Sequence, residues 1–420
     1  MAWIILLVFV VFAALMYTKK LSAILALPIM ALLIALLPNW DKPMDAITLV
    51  FGTGAPRLAG AMMNAVFGAM LAHVVYTTGI AETIIKKAAE LAGDKTLPVA
   101  IIMTLATAIS FVALGGLGSI IMVGTLVLPI MIGVGLRPLA AGSMFLLGVS
   151  MGGVWNVANW GFYQSVLKVP LETISTFATT NGVILILAGL AFVVVNARPH
   201  RTTWAMPATA PAPTPSVPGY AMITPLIPVA LLLGFKYLGG KPFDINAALT
   251  IAALYGILTT RPQEILNTLT AAVTEGIKNV APVLGLMIGI GMAVTALMAD
   301  PVKAVMTPLL QGIVPTSPLG YVLFFGLLSP LALYRGPLNL YGLGAGVGAI
   351  LTSLFQPHLV MGALMSTGMI QGVCDPTNTH NAWTGGFTKT DVNDILKATL
   401  PYVFVATLVA LAVIGFTRWA

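Results

Sequence analysis

The chain has 420 residues, 58% hydrophobic and only 8% charged, with a net charge of +7. Soluble domains carry about 25% charged residues, so this composition excludes a chain that faces water over most of its surface. Its basic residues stand at the ends of apolar runs, as membrane orientation requires, which excludes nucleic acid as the partner; the single cysteine, Cys374, excludes an internal disulfide or a cysteine-built metal site.

The apolar runs repeatedly reach the roughly 20 residues that cross a bilayer as helix. They lack the strict two-residue alternation of a transmembrane barrel. The expected fold is an all-α polytopic membrane protein, multi-pass in the cell inner (plasma) membrane, with the lipid bilayer as its surroundings. Helix 1 is expected over 2–17 and is read as retained, since no basic region precedes it and no small-residue cleavage site follows. Helix 2 follows over 21–38 and helix 3 over 56–77. The charged stretch 81–95 is amphipathic and reads as interfacial. Residues 96–136 are apolar on both sides of "LGGLGS" (114–119), the pattern of a re-entrant hairpin. A helix over 138–174 is expected to break at Gly153–Gly161, and another helix spans 177–195.

The segment 197–219 is rich in Pro, Ala and Thr and reads as an extended linker between two halves. Helices are expected near 222–239, 245–260 and 276–298. A second hairpin is expected over 302–355 with "LYRGPLN" (333–339) at its tip. A second interrupted helix starts at Pro357 and breaks at Gly372–Gly386, and a last helix covers 395–417.

Two phrases tie the halves together: "GVWNVAN" (153–159) and "GVCDPTN" (372–378), 219 positions apart. The same shift without gaps sets Pro138 on Pro357, Asn159 on Asn378, Asn156 on Asp375 and Glu172 on Asp391. The reading is two inverted-topology repeats, each with a re-entrant hairpin and a broken transmembrane helix. The expected units are an extra N-terminal helix over 1–20, a first repeat over 21–196, the linker 197–219, a linking helix over 220–244 and a second repeat over 245–420. Lys19 and Lys20, Lys86, Lys87 and Lys95, and Arg198 and Arg201 then fall on the cytoplasmic side.

Backbone groups freed by a break in hydrocarbon need a partner, so such breaks survive only beside protein or a water-filled cavity. Freed carbonyls suit a cation, and the half-helix that follows presents N–H groups that suit an anion. Asn156, Asn159, Asn378, Thr379 and His380 at the breaks, with Ser119, Asn339 and Arg335 at the hairpin tips, are the candidates to bind solute. The planar guanidinium of Arg335 fits a carboxylate; the alternatives are a permanent pair with Asp375 or a side chain that snorkels to the surface. Asp375 and Thr377, with the backbone at Gly116, Gly153 and Gly372, are the candidates to bind a coupling ion. Asp375 would bind Na⁺ or carry a proton, since burial favours a neutral carboxyl; its alternative role is to cap the following half-helix. No cofactor is called for beyond Na⁺ as a coupling ion. The apolar segments hold no Ser/His pair or His-Glu-x-x-His, so no enzyme is expected.

On "LSAILALPIMALLIALLP" (21–38), "FGAMLAHVVYTTGIAETI" (67–84), the hairpin tips and the two breaks, the chain resembles the ion transporter superfamily, particularly its gluconate and citrate:cation symporter branches. The resemblance implies inverted repeats, a homodimer and a mobile transport unit that moves like an elevator against a scaffold. It implies that tips 115–119 and 334–339 and breaks 155–159 and 374–380 bind solute and ion. Sodium-coupled dicarboxylate carriers of that superfamily have Ser-Asn-Thr after each tip, and neither tip here has it. The leading expectation is symport of a small organic anion driven by H⁺ or Na⁺. The alternatives are a Na⁺/H⁺ antiporter and the large membrane subunit of a binding-protein-dependent transporter.

Overall fold

In lipid, a spanning chain must satisfy its own backbone hydrogen bonds, and helices do so within one segment. In the computed structural model, which describes residues 1–18, 20–198, 217–238, 243–312 and 314–419, every regular element is a helix. Seven segments among the described residues are long and apolar enough to cross a membrane. The chain is an all-α polytopic membrane protein.

The elements in order are α1 (Ala2–Tyr17), α2 (Ala23–Leu36), α3 (Pro43–Thr77), α4 (Ile80–Ala92), α5 (Thr96–Phe111), α6 (Gly116–Gly133), α7 (Pro138–Trp155), α8 (Val157–Leu167) and α9 (Leu171–Asn196). After the linker, most of which (199–216) lies outside the described residues, come α10 (Ile227–Tyr237), α11 (Ile245–Thr260), α12 (Pro262–Met298), α13 (Asp300–Gln311), α14 (Pro318–Leu328), α15 (Gly344–Leu351), α16 (Pro357–Cys374), α17 (Thr379–Thr388) and α18 (Val392–Thr417).

Three expected boundaries move. Helix 3 starts at Pro43 rather than 56. The chain stays helical there by switching to a π-helix over Thr48–Gly54 and a 3₁₀ turn over Ala55–Leu58. Helix α12 likewise begins at 262 rather than 276 and carries Pro282 inside it. The second hairpin begins at Pro318 rather than 302, because residues 300–311 form the separate amphipathic helix α13.

The breaks are narrower than the glycines imply. Helix α7 stops at Trp155 and α8 starts at Val157, with Asn156 alone extended between them. Helix α16 stops at Cys374 and α17 starts at Thr379. Gly153, Gly161, Gly372, Gly385 and Gly386 all lie within helix. Several serve close packing instead: a Cβ on Gly161 would fall 1.9 Å from Asn64 Nδ2, and one on Gly372 would fall 2.6 Å from Ser150 Oγ.

The interval of 219 recurs in the helix bounds. Helix α3 begins at Pro43 and α12 at Pro262, and α7 and α16, starting at Pro138 and Pro357, have 18 residues each. Past the breaks the interval becomes 221. Lys168 and Lys389 are both left-handed C-caps, at φ 57° and 53°, and α9 and α18 have 26 residues each. The pairing of Glu172 with Asp391 is therefore two residues out of step. Asp391 is the N-cap of α18, accepting the Asn393 N–H at 2.7 Å, and Glu172 stands in the first turn of α9.

Between lipid-solvated helices there is no hydrophobic driving force, and small residues that allow close approach do the work of association. Helix α12 packs on α2 through Gly289 against Leu27 and Pro28, and on α3 through Gly276 against the backbone of Ala69 and Met70. Helix α8 packs on α3 through Gly68 against Ala158 and Gly161 against Asn64. Helix α7 packs on α5, where a Cβ at Gly152 would fall 2.2 Å from Ala108 O. That atom is backbone and cannot swing away. Gly152→Ala should cost about 1–3 kcal/mol and lower the unfolding temperature in detergent. Gly133→Ala, where nothing lies within 4 Å, should not lower it.

Candidate functional site

Each break holds a polar residue at its matched position: Asn156 is the N-cap of α8, whereas Asp375, whose alternative expected role is a cap, closes the turn before α17, whose N-cap is Asn378. Asn156 (φ −72°, ψ 115°) and Asp375 (φ −70°, ψ 111°) have nearly the same backbone conformation. Asn156 Oδ1 accepts the Ala158 N–H at 3.1 Å, and its Nδ2 donates to Leu114 O at 3.2 Å and Phe111 O at 3.4 Å. Asp375 Oδ1 accepts from the Thr377 N–H at 2.9 Å and the Thr377 hydroxyl at 2.7 Å. Its Oδ2 faces the Arg335 backbone N–H at 3.4 Å and Asn339 Nδ2 at 3.5 Å. Each break is thereby tied to the hairpin tip of its own half.

The tips also share a conformation. Gly116 has φ 78°, and Arg335, 219 positions later, has φ 60° beside Tyr334 at φ 57°. Glycine takes this region freely, whereas a non-glycine residue there costs on the order of 1 kcal/mol. The turn at Arg335 is held from three sides. Its N–H meets Asp375, its carbonyl accepts the Leu343 N–H at 3.0 Å, and its guanidinium Nη1 donates to Tyr341 O at 3.2 Å.

A cavity of about 360 Å³ lies between the tips and the breaks, closed on one side by Val283 and Leu286 of α12. Of the residues expected to bind solute, Arg335, Asn156, Asn159, Asn378, Thr379 and His380 line it. Gly116, Gly153 and Gly372 line it too. Four candidates do not. Ser119 returns its hydroxyl to Gly115 O within its own helix at 2.9 Å. Asn339 and Asp375 are fully buried behind the wall, and Thr377 is turned onto Asp375. The sequence cannot tell a polar side chain that faces a cavity from one that props its wall.

Arg335 is half-buried, and Tyr341 O is the one hydrogen-bond partner of its guanidinium among the described residues. The Asp375 carboxylate bonds the Arg335 backbone and not its guanidinium, so the two side chains form no closed ion pair. His380 Nε2 lies 3.1 Å from Gly372 O, bridging the break. Asn378 and Gln371 bond each other twice, through Gln371 Nε2 to Asn378 Oδ1 at 2.9 Å and Asn378 Nδ2 to Gln371 O at 2.7 Å. No group of three His, Cys, Asp or Glu that could hold a metal occurs among the described residues.

Tyr341 was not legible as a site residue. Its hydroxyl donates to Asn159 Oδ1 at 2.8 Å, and its ring stacks on Phe162 at 4.6 Å and 22°. It joins the second hairpin to the first broken helix. It also lines a neighbouring cavity of about 130 Å³ between the first tip, α3 and α12, where Gly68 and Asn279 stand. Nothing in its spacing marks it; only the fold brings residue 341 to residue 159.

No family model and no curated protein sequence matches the chain. Solved structures do. The YdaH transporter of Alcanivorax borkumensis superposes with a TM-score of 0.58 at 18% identity, over 89% of this chain and 88% of that one. MtrF of Neisseria gonorrhoeae, described with a class of antimetabolite efflux pumps, superposes with a TM-score of 0.56 at 13% identity, over 91% and 86%. The chain is similar to both in fold across nearly its whole length.

Because Asn156 adopts the Asp375 conformation and caps with its carbonyl oxygen, Asp375→Asn should keep the break intact. Its unfolding temperature should fall by less than that of Asp375→Ala, since it keeps the bonds to Thr377 and loses the two long contacts of Oδ2 to Arg335 N–H and Asn339 Nδ2. Asp375→Ala leaves the Thr377 donors without their acceptor and should cost about 1–3 kcal/mol. Equal losses in the two variants would show that the charge, and not the cap, holds the turn.

Proposed function

We propose that this chain is a secondary active transporter that moves a small organic anion, a carboxylate, through the cavity between the two hairpin tips and the two breaks. One observation carries the reading. Arg335 lines the cavity, and its guanidinium makes a single hydrogen bond among the described residues, which leaves its remaining donors for a solute. A cation at such a position is costly, and a planar fork with free N–H groups is matched by a carboxylate. The volume suits a metabolite-sized anion. The likeness in fold to a transporter and to an efflux pump supports the reading.

Coupling falls to Asp375. Its Oδ1 is saturated by Thr377, whereas Oδ2 has only the two long contacts to Arg335 and Asn339. A proton or Na⁺ arriving at Oδ2 would occupy the lone pairs that the Arg335 N–H and Asn339 Nδ2 donors face and so release the second tip from the second break. The matched helix bounds and matched break conformations support the inverted-repeat reading. Movement is elevator-like: α8 meets α3 through Gly60 and Ser165, Asn64 and Gly161, and Gly68 and Ala158, a seam of small groups on which one unit can slide. A homodimer and the citrate/gluconate branch rest on the family resemblance.

A second direction is favoured by one finding, the fold shared with MtrF: the same site would then serve export. Reconstituted protein separates the cases. Labelled carboxylates should accumulate under an imposed H⁺ or Na⁺ gradient, and Arg335→Gln should lower kcat/KM roughly 10- to 150-fold while the protein stays folded, since a lost charge-assisted pair costs about 1.5–3 kcal/mol. Asp375→Asn should bind the anion and lose gradient-driven accumulation. Accumulation only in inverted vesicles assigns export. Cation-driven proton flux that survives Arg335→Gln, with no carboxylate movement, would replace this reading with a cation/proton antiporter.

A further inference from the structure

Arg57 is a charge without a counter-charge. It lies in α3, three residues from residue 60, the midpoint of the 43–77 span, or about 4.5 Å along the axis at 1.5 Å per residue. It makes no hydrogen bond and no ion pair among the described residues. Its Nε is fully shielded from solvent and unpartnered. All 13 acidic side chains of the chain lie in described segments, the linker at 199–216 contributes none, and none of the 13 pairs with Arg57. An unpaired cation within a spanning segment is costly, and no acidic side chain of this chain offsets that cost.

The surroundings point the same way. Arg57 stands in the 3₁₀ turn that follows the π-helix of α3, an irregularity that spanning helices keep mainly at functional sites. The turn presses on α12 at two adjacent rungs. A Cβ on Gly291 would fall 3.4 Å from Arg57 Cβ, and a Cβ on Gly54 would fall 3.4 Å from Thr295 Cβ. The Thr295 hydroxyl is also buried and unpartnered. Two donors without acceptors thus share one helix contact, on the α3–α12 pair and apart from the cavity that holds Arg335.

We propose that Arg57, with Thr295 one rung along, binds an oxyanion supplied from outside the chain, of phosphate or carboxylate type. The guanidinium gives the charge and paired N–H groups, and the threonine hydroxyl gives a further donor. Two sources present this chemistry: the phosphodiester of a membrane phospholipid and a free small anion. The proposal stands independently of what the Arg335 cavity transports.

The full-length protein in detergent tests it with two probes. Native mass spectrometry of protein purified with phosphatidylglycerol counts retained lipid, and the unfolding temperature is read in inorganic phosphate against chloride. The unaltered protein should retain at least one more phospholipid than Arg57→Gln, which assigns the lipid phosphodiester. Alternatively it should show a phosphate-dependent rise in unfolding temperature that Arg57→Gln lacks, which assigns the free anion. Thr295→Val removes one hydroxyl at nearly constant shape and should weaken whichever effect is seen several-fold, so the proposal remains testable if Arg57→Gln misfolds. Equal lipid retention and equal phosphate response in all three proteins overturns it. So does loss of self-association alone in Arg57→Gln, since the counter-charge would then be a carboxylate of a second copy.

Discussion

The structure depends on one constraint: within hydrocarbon, each backbone N–H and C=O must find a partner inside the protein. A helix that stops at mid-membrane violates this unless side chains take over. Asn156 and Asp375 take over at the two breaks. Each accepts the N–H two residues on and connects to its hairpin tip; Asn156 thereby caps α8, whereas Asp375 closes the turn that precedes α17, whose N-cap is Asn378. The hydrogen bonds of His380 to Gly372 O, Asn159 to Gly153 O and Asn381 to Val373 O use up further carbonyls at the ends of the preceding helices. The cavity is the space left when these obligations are met.

The two halves meet the same geometric demand with different chemistry. At the tip, the left-handed residue is Gly116 in the first half and Arg335 in the second. At the break, the extended residue is Asn156 in the first and Asp375 in the second. Glycine and asparagine satisfy backbone geometry without charge. Arginine and aspartate satisfy the same geometry and add one charge of each sign within a single hydrogen-bonded turn. The strained φ of Arg335 is therefore informative. A glycine is sterically better there, so the guanidinium is present despite the local conformational preference.

Much of the fold could be read from the chain because its signals are local. Apolar length gives the spans, and the paired phrases at 153–159 and 372–378 give the interval that the starts of α3 and α12 and of α7 and α16 keep. The failures share a cause. Glycine was read as a breaker at Gly153, Gly161, Gly372 and Gly386, yet in lipid an unbroken helix is favoured so strongly that glycine stays helical and permits close packing instead. Residues 43–55 lie outside the expected helix 3, yet the chain stays helical through them by changing helix type. In the site, charged and amide residues at breaks were recognisable as candidates. Which of them face the cavity was not, since Asp375 and Asn339 differ from Asn378 and Arg335 only in the direction the fold turns them.

Tyr341 shows why the remaining part was out of reach and what it adds. Its carbonyl accepts the only hydrogen bond that the Arg335 guanidinium gives the described protein, and its hydroxyl donates to Asn159, whose own amide donates to Gly153 O. A chain of three hydrogen bonds therefore runs from the charged tip of one half to the broken helix of the other. Any anion that engages the guanidinium competes with, or is joined to, the first link of that chain. Of the three, the link from Tyr341 to Asn159 crosses between the halves, and as a neutral bond it is worth roughly 1 kcal/mol, small beside a charge-assisted contact of about 1.5–3 kcal/mol.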